Sequence, residues 1–293
     1  MNNIEFCKYI SEIAIKSMLQ EVSATPKPGL VDRNNPGAHK DMDFFTFMDS
    51  CTSLVFTFYD CASEGYRFAN PDYTQLLRKI RPIGIKGEDK MFRTTNDVNT
   101  HKGLIFSLGI IAAATALEYK INKTIPMDTY NICEIIEGMT KGIVKKELQS
   151  LEGKASLTYG EKLFKEYGIK GIRGEVESGF PTVRSNGLPI FRKLMEDNKS
   201  NINDNLVQVL LHLMAVTEDV NILGRHSIKE LEYVKSEAKR ALSLGGIFTA
   251  KGRNKVLSMD KDFIEKNISP GGSADLLAVT LMFYYLETNQ SIK

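Results

Sequence analysis

The sequence contains no tryptophan and only four cysteines among its 293 residues. Cys7, Cys51, Cys61 and Cys133 show no CxxC spacing, so the usual zinc and redox motifs are missing. Each cysteine lies in an apolar stretch, where a thiol behaves as a small hydrophobic side chain. We therefore predict four buried free thiols in a reducing compartment. Any aromatic stacking on a ligand must use Phe or Tyr.

The chain also lacks a surplus of charge. Lys and Arg total 38 against 36 Asp and Glu, and no basic arm or stripe is present, so a nucleic-acid partner is not expected. Glu5, Lys8, Glu12 and Lys16 interrupt the apolar core that a signal peptide would need. The longest uncharged stretch, Gly103–Leu117, is shorter than the roughly 20 residues that cross a bilayer. The sequence predicts a soluble, cytoplasmic protein without a membrane partner.

Strand signals are missing as well, because no run of alternating β-branched residues and no βαβ rhythm occurs. Most long apolar stretches instead have a period of 3.6, as for Ile10, Ile13 and Met18 on one face of an N-terminal helix. We predict an all-α fold, a multi-helix bundle forming a single domain over residues 1–293. The further predicted helices cover about 42–63, 100–120, 128–149, 155–167, 187–197, 203–216, 227–244, 258–266 and 273–288.

Glycine, proline and unpaired polar residues gather in five segments, each predicted to be a loop that precedes a helix. The segments are 26–42, 96–103, 171–184, 217–225 and 269–275. A helix N-terminus offers unpaired N–H groups and the positive end of the helix dipole. If several such ends converge, they form a cleft suited to a polyphosphate.

The first segment contains Asp32, His39 and Asp41 among residues that restrict the backbone. In an extended segment His39 and Asp41 face the same way, so they can share a magnesium ion or a substrate hydroxyl. The alternative is that Asp41 only caps a helix beginning at Met42.

In the second segment we predict Thr100 as a helix N-cap, which places His101, Lys102 and Gly103 in the first turn as a phosphate seat. Lys102 opposes the helix dipole at this position, which favours a functional reason for its presence. An exposed, merely tolerated lysine is the alternative.

The third segment places Glu175 and Glu177 between Arg173 and Arg184. It is neither a GxGxxG nor a GxxxxGK[ST] motif. Two carboxylates beside two guanidinium groups indicate a metal site or a general base among phosphate-binding side chains, and the alternative is a solvated ion-pair cluster.

The last two segments provide further polar side chains. Asp219 and Arg225 lie in or next to a helical turn, and Ser273 is predicted to cap a helix whose first turn contains Asp275. The Pro-Gly-Gly before Ser273 opens the backbone to close approach.

Together the five segments resemble the triphosphoribosyl-dephospho-CoA synthase family, which makes the prosthetic-group precursor of citrate lyase and of malonate decarboxylase. The resemblance rests on PKPGLVDR with GAHKDM in 26–42, NTHKG in 99–103, RGEVESGFPTVR in 173–184, the segment 219–225 and SPGGSAD in 269–275. These motifs occur in order over nearly the whole chain.

The resemblance implies a mostly helical pentosyltransferase that joins the triphosphoribosyl moiety of ATP to 3′-dephospho-CoA and releases adenine. Its product would pass to a holo-acyl-carrier prosthetic-group transferase, and Mg²⁺ is expected with ATP. For that reaction the predicted base or catalytic carboxylates are Glu175, Asp32 and Asp275, with Glu175 first. The predicted substrate-binding residues are Lys27, Arg33, His39, His101, Lys102, Gly103, Arg173, Arg184 and Arg225. The predicted metal ligands are Asp41, Glu177 and Asp219.

Two other functions share these residue types. A helical, Mg²⁺-dependent nucleotide or ADP-ribose hydrolase would use the same carboxylates and phosphate contacts, with water as the nucleophile. A non-catalytic nucleotide sensor would explain the glycine-rich segments but gives the carboxylates no task. Product analysis separates the three.

Overall fold

The protein folds as an assembly of helices. The computed structural model describes residues 1–149, 157 and 159–289, and these residues contain no strand. The α-helices are α1 Asn3–Ser23, α2 Phe44–Ser53, α3 Val55–Arg67, α4 Thr74–Thr94, α5 Lys102–Asn122, α6 Thr129–Thr140, α7 Tyr159–Tyr167, α8 Gly171–Glu177, α9 Leu188–Asp197, α10 Ile202–Met214, α11 Val220–Arg225, α12 Ile228–Ser243, α13 Ala250–Glu265 and α14 Gly271–Thr288. Lys145–Gln149 and Val183–Gly187 are π-helical, and Gly246–Phe248 is a 3₁₀ turn. The all-α prediction is confirmed.

Two helices, α5 and α14, form the centre of the fold. Both are apolar all round and buried on nearly every face, as expected for helices enclosed by others. Helix α5 packs against α1, α3, α4, α6 and α14. It is long and apolar enough to span a membrane by length and composition, but 83% of the qualifying stretch is buried inside the protein. Burial in the core therefore accounts for its apolar character.

Side-chain caps fix where several helices begin. Asn2 and Glu5 form a capping box at α1, and Ser227 and Glu230 form another at α12. At α2 the N-cap is Asp43, which accepts a hydrogen bond from the backbone N–H of Thr46. The alternative function of Asp41 as a helix cap is therefore wrong.

The buried apolar residues of the described helices form one large core, with a small satellite cluster around Val31 and Met42. All four cysteines lie in the large core as free thiols, as predicted. Burial raises the pKa of Cys61 to about 12, so its thiol is inert. A single domain over all of residues 1–293 stays a prediction.

The structure differs from the predicted helices in several places. The helix predicted over 128–149 ends at Thr140 and is followed by a π-helical segment, and the helix predicted from 258 begins at Ala250. The helix predicted over 42–63 is two helices, which meet at Leu54. Helix α4 was missed, because Pro82 and two glycines obscure its pattern. The predicted loop 171–184 contains α8 and the start of a π-helical segment. The helix predicted over 155–167 is described from residue 159 onward, and 155, 156 and 158 lie outside the described residues.

Candidate active site

The five segments meet around two neighbouring cavities. Cavity A, of about 400 Å³, is lined by α8, by the segment before and within α11, and by the first turn of α14. Cavity B, of about 230 Å³, is lined by the segment 27–42, by 99–104 and by 269–275. Gly103, Asn221 and Asp275 line both cavities. The five segments do converge, but on two cavities that share three residues rather than on the one cleft predicted.

Asp275 lies where the two cavities join. No hydrogen bond or ion pair from the described part of the chain reaches its carboxylate. Burial, and to a lesser degree the charges of Glu21 and Asp219, raise the pKa of Asp275 well above its usual value. A carboxylate that is unpartnered, half-buried and open to two cavities is suited to accept a proton from a bound ligand.

Asp32 has a different environment, since four donors occupy its carboxylate. Oδ2 accepts from Thr25 Oγ1 (2.7 Å) and from the backbone N–H of Lys27 (3.0 Å). Oδ1 accepts from the backbone N–H groups of Asn34 (2.6 Å) and Asn35 (3.1 Å). Because a carboxylate has about four acceptor positions, none is left for a substrate. Asp32 lines neither cavity and holds the first segment in shape.

Asp219 is likewise fully bonded. Oδ1 accepts from the backbone N–H groups of Asn221 (3.0 Å) and Gly272 (3.1 Å), and Oδ2 accepts from the N–H (2.8 Å) and Oγ (3.1 Å) of Ser273. Asp219 therefore caps α11 and holds the first turn of α14, which leaves no acceptor position for a metal. The prediction that Ser273 caps α14 is wrong, because the N-cap position is Pro270.

Glu175 and Glu177 of the third segment lie on different faces of α8. Glu175 lines cavity A and accepts hydrogen bonds from Oγ1 (2.6 Å) and the backbone N–H (3.3 Å) of Thr182. Burial raises the pKa of Glu175, and the charge of Glu218 adds to the effect. Glu177 lines neither cavity, because residues two apart on a helix do not share a face. The structure does not bring Glu177 to the cleft.

The predicted arginine contacts to phosphate fall largely outside the cleft. Arg173 Nε donates to Glu147 Oε2 at 2.8 Å, and Arg184 Nη1 lies 3.5 Å from Glu137 Oε1. Arg33 donates to the side chain of Asn203 at 2.9 Å. None of these three arginines lines either cavity. The alternative of an ion-pair cluster describes Arg173 and Arg184 better, although their partners are not Glu175 and Glu177.

The other predicted cationic side chains, Lys27, Lys102 and Arg225, line cavity B. Lys27 is only 1% exposed and pairs with Glu21, which is 2% exposed. Lys102 Nζ lies 3.0 Å from Glu88 Oε2, and Arg225 has no ion-pair partner among the described side chains. Glu21 was not among the predicted site residues. It continues the apolar face of α1 at helical spacing, and a charged residue on a buried helix face indicates a buried ion-pair partner.

His39 lies at the wall of cavity B next to Asp41. Its Nε2 is 2.9 Å from Ser269 Oγ, and its Nδ1 is 3.7 Å from Asp41 Oδ1 and makes no hydrogen bond. Burial, with the charge of Arg225, lowers the pKa of His39. The two side chains face the same way, as predicted.

His101 lines cavity B as a buried, neutral side chain. Its Nδ1 lies 2.7 Å from Ser50 Oγ, and its ring meets Phe47 edge to face. Burial, helped by the charge of Lys27, lowers the pKa of His101 to about 3. The N-cap position of α5 is His101 rather than Thr100, whose hydroxyl donates to Ser50 Oγ instead.

No group of three or more His, Cys, Asp and Glu side chains in the described residues could hold a metal ion. Of the three predicted ligands, only Asp41 lines a cavity with its carboxylate available, since 62% of its side chain is exposed. A metal at this cleft must therefore take most of its ligands from the substrate or from water.

Gly103 is required for the approach of α5 to Asp275. A Cβ at this position would lie 2.1 Å from Asp275 Oδ2. We expect Gly103→Ala to displace the carboxylate and lower kcat about 100-fold, because small misplacements of reacting groups carry such costs. Alanine favours the helix, so the melting temperature should not fall. The control is Gly160→Ala, whose Cβ would only contact Arg173 at 3.8 Å. Equal kcat values for both variants would contradict the prediction.

An all-α fold with an unpartnered carboxylate between two cavities is typical of a helical enzyme. Comparison with known proteins gives the family. The family described as CitG, ATP:dephospho-CoA triphosphoribosyl transferase, matches residues 7–293. A protein of Streptococcus mutans described as a probable 2-(5''-triphosphoribosyl)-3'-dephosphocoenzyme-A synthase is 38% identical over 286 residues, which cover 95% of this chain and 96% of the relative. A protein of Streptococcus pyogenes serotype M3 with the same description has the same identity and coverage.

The chain therefore belongs to the CitG family, and it is a transferase. A solved structure of a candidate triphosphoribosyl-dephospho-CoA synthase from Archaeoglobus fulgidus is 16% identical, with a TM-score of 0.49, over 82% of this chain and 99% of that one. The family resemblance predicted from the five segments is confirmed.

Proposed function

We propose that this protein transfers the triphosphoribosyl moiety of ATP to 3′-dephospho-CoA and releases adenine. The observation that carries the proposal is the unpartnered carboxylate of Asp275 at the junction of two cavities, one of which gathers cations. A reaction between two nucleotides needs two adjoining sites with the reacting atoms where they meet. Membership of the CitG family supports the choice of substrates.

Cavity B is proposed to hold the triphosphate of ATP. Arg225 provides positive charge that no described carboxylate pairs with, Lys27 lies in the same lining beside its partner Glu21, and the first turn of α5 adds backbone N–H groups. Cavity A has one cation, Lys170, together with the carboxylates of Glu175 and Glu218. Uncharged ribose and base groups suit cavity A better than a polyphosphate does, because its carboxylates repel anions but accept hydrogen bonds from hydroxyl and amino groups.

The proposed chemistry is a displacement at C1′ of the ATP ribose. The bond from C1′ to adenine breaks, and a bond from C1′ to the 2′-oxygen of the acceptor ribose forms. Asp275 takes the proton of the attacking hydroxyl, and adenine leaves with a proton that it receives from solvent. Positive charge develops at the ribose during this step, and the carboxylates of Asp275 and Glu175 stabilise it.

Magnesium is proposed to enter with ATP. Its ligands would be triphosphate oxygens, water and the carboxylate of Asp41, the one predicted ligand with free acceptor positions at cavity B. When bound, the ion would neutralise part of the charge of the triphosphate.

We propose further that the enzyme works in the cytoplasm and passes its product to a holo-acyl-carrier prosthetic-group transferase. The motifs shared with enzymes that serve citrate lyase and malonate decarboxylase support this proposal. The absence of a basic stripe agrees with a nucleotide substrate rather than a nucleic acid.

Product analysis by mass spectrometry tests the reaction. With ATP, Mg²⁺ and 3′-dephospho-CoA we expect free adenine and an acceptor that has gained one triphosphoribosyl unit. Omission of the acceptor should stop adenine release. Adenine release that continues without acceptor would indicate a hydrolase, and ATP bound without turnover would indicate a nucleotide sensor. Either result would reject the proposal.

A further inference from the structure

A third cavity, of about 120 Å³, lies between α3, α4 and α5, and the reaction proposed above does not use it. Most of its lining is apolar, as for Ile80, Ile105 and Phe106, and the charged side chains of Arg81 and Glu88 also line it. Two glycines, Gly84 of α4 and Gly109 of α5, belong to the lining as well. We call this cavity the apolar groove.

The fold does not require glycine at either position. Both glycines are inside helices, where glycine is less stable than alanine, and neither has a positive φ. A Cβ at Gly84 would meet nothing within 4 Å, and a Cβ at Gly109 would make an ordinary contact with Cys61 Sγ at 3.4 Å. What the two glycines provide is open space along the groove. Open space with a mostly apolar lining is suited to an apolar group of a ligand.

The groove adjoins cavity B along α4 and α5, although the two share no lining residue. Lys102 and Gly103 line cavity B, and Phe106, one turn further along α5, lines the groove. Glu88 lines the groove and pairs with Lys102 at 3.0 Å, so this ion pair lies between the groove and cavity B. A ligand in both places would present an anion to Lys102 and an apolar group to Phe106.

We propose that the apolar groove binds the pantetheine arm of the acceptor, an inference that rests on the proposed function. In 3′-dephospho-CoA the arm begins, one carbon beyond the diphosphate, with a carbon that bears two methyl groups. This order of groups, an anion followed by a compact apolar branch, matches Lys102 followed by the groove. ADP has the same ribose and diphosphate but no arm, so the groove is where the enzyme distinguishes its acceptor from ADP.

The experiment fills the groove from Gly84. Gly84→Leu adds a side chain that favours helix and enters open space, so folding should be kept, and circular dichroism checks it. We expect the Kd and KM for 3′-dephospho-CoA to rise about tenfold, since the arm loses two buried methyl groups, while the KM for ATP stays unchanged. Gly84→Ala should give a smaller rise. Lys86→Leu, which places a leucine on the opposite, exposed face of α4, should change neither constant.

Equilibrium binding of ADP is measured in parallel. We expect wild-type protein to bind 3′-dephospho-CoA more tightly than ADP, and Gly84→Leu to abolish most of that difference without weakening ADP. Equal affinity of the wild type for both ligands, an unchanged Kd for 3′-dephospho-CoA in Gly84→Leu, or an equal loss for ADP would each overturn the groove assignment. Failure of the wild type to form the transfer product would reject the proposed reaction, and the binding measurements would still decide on the groove.

Discussion

Replacing Asp275 by asparagine should lower kcat for adenine release by about 100- to 10,000-fold, which is the usual contribution of a positioned general base to the rate. Asparagine keeps the size of the side chain but cannot accept the hydroxyl proton. The KM values for ATP and 3′-dephospho-CoA should change little, because the proposed contacts of this side chain are with the reacting atoms rather than with the phosphates. Steady-state kinetics with adenine detection measures both constants.

The pH profile gives a second signature of the same group. Because burial raises the pKa of Asp275, the wild-type rate should fall with decreasing pH at values above the pKa of an ordinary aspartate, about 3.9. The base must be ionised to act, so activity is present above the raised pKa and lost below it. In Asp275→Asn this acidic limb should disappear from the residual rate.

Glu175→Gln is the comparison that assigns the base. Glu175 was first choice from the sequence, but its carboxylate already accepts two hydrogen bonds from Thr182. We expect a smaller loss of kcat than in Asp275→Asn. Asp197→Asn, at an exposed position at the end of α9, is the control for removal of a carboxylate. Near-normal turnover in Asp275→Asn, with loss in Glu175→Gln, would move the role of base to Glu175.

The second large effect concerns stability. Lys27→Met removes the partner of a buried carboxylate, and leaving one member of such a pair uncompensated costs about 3–5 kcal/mol. Burial alone already raises the pKa of Glu21. We expect the midpoint of urea unfolding to fall sharply. The double variant Lys27→Met with Glu21→Gln should recover much of the loss, because no buried charge remains.

The loss in Lys27→Met should depend on pH in a definite direction. A carboxyl whose pKa is raised in the folded protein binds its proton more tightly there than in the unfolded chain. Its contribution to stability is therefore fully present below the unfolded pKa, about 4.3, and is lost as pH rises through the folded pKa. The single variant should be closer to wild type at pH 5 than at pH 8. Equal losses at both pH values would contradict the buried-charge explanation.

The fold class and the convergence of the five segments could be predicted from sequence, because both follow from local patterns. The period of 3.6 locates most helices, and glycine with proline locates the segments between them. Helix α4 could not be predicted in this way, since Pro82 and two glycines interrupt its local pattern, and its packing against α2, α3, α5 and α6 leaves no local signal. The assignment of 171–184 as a loop failed for the same reason, because glycines inside α8 mark close packing there.

The roles of the carboxylates depended on contacts that sequence does not contain. In the sequence, Asp32, Asp219 and Asp275 have similar surroundings, because each belongs to one of the five segments. In the structure, four donors occupy each of the first two, and the described residues donate no hydrogen bond to the third. The number of backbone N–H groups that face a side chain follows from tertiary approach, as when α14 begins beside α11.

The hydrogen bonds that Asp219 accepts connect the beginnings of two helices. One buried carboxylate holds the start of α11, which carries Arg225, and the first turn of α14, which carries Asp275. Arg225 and Asp275, which both line cavity B, are thus held by the same carboxylate. We therefore expect a displacement of α11 to reach the first turn of α14 through this one carboxylate.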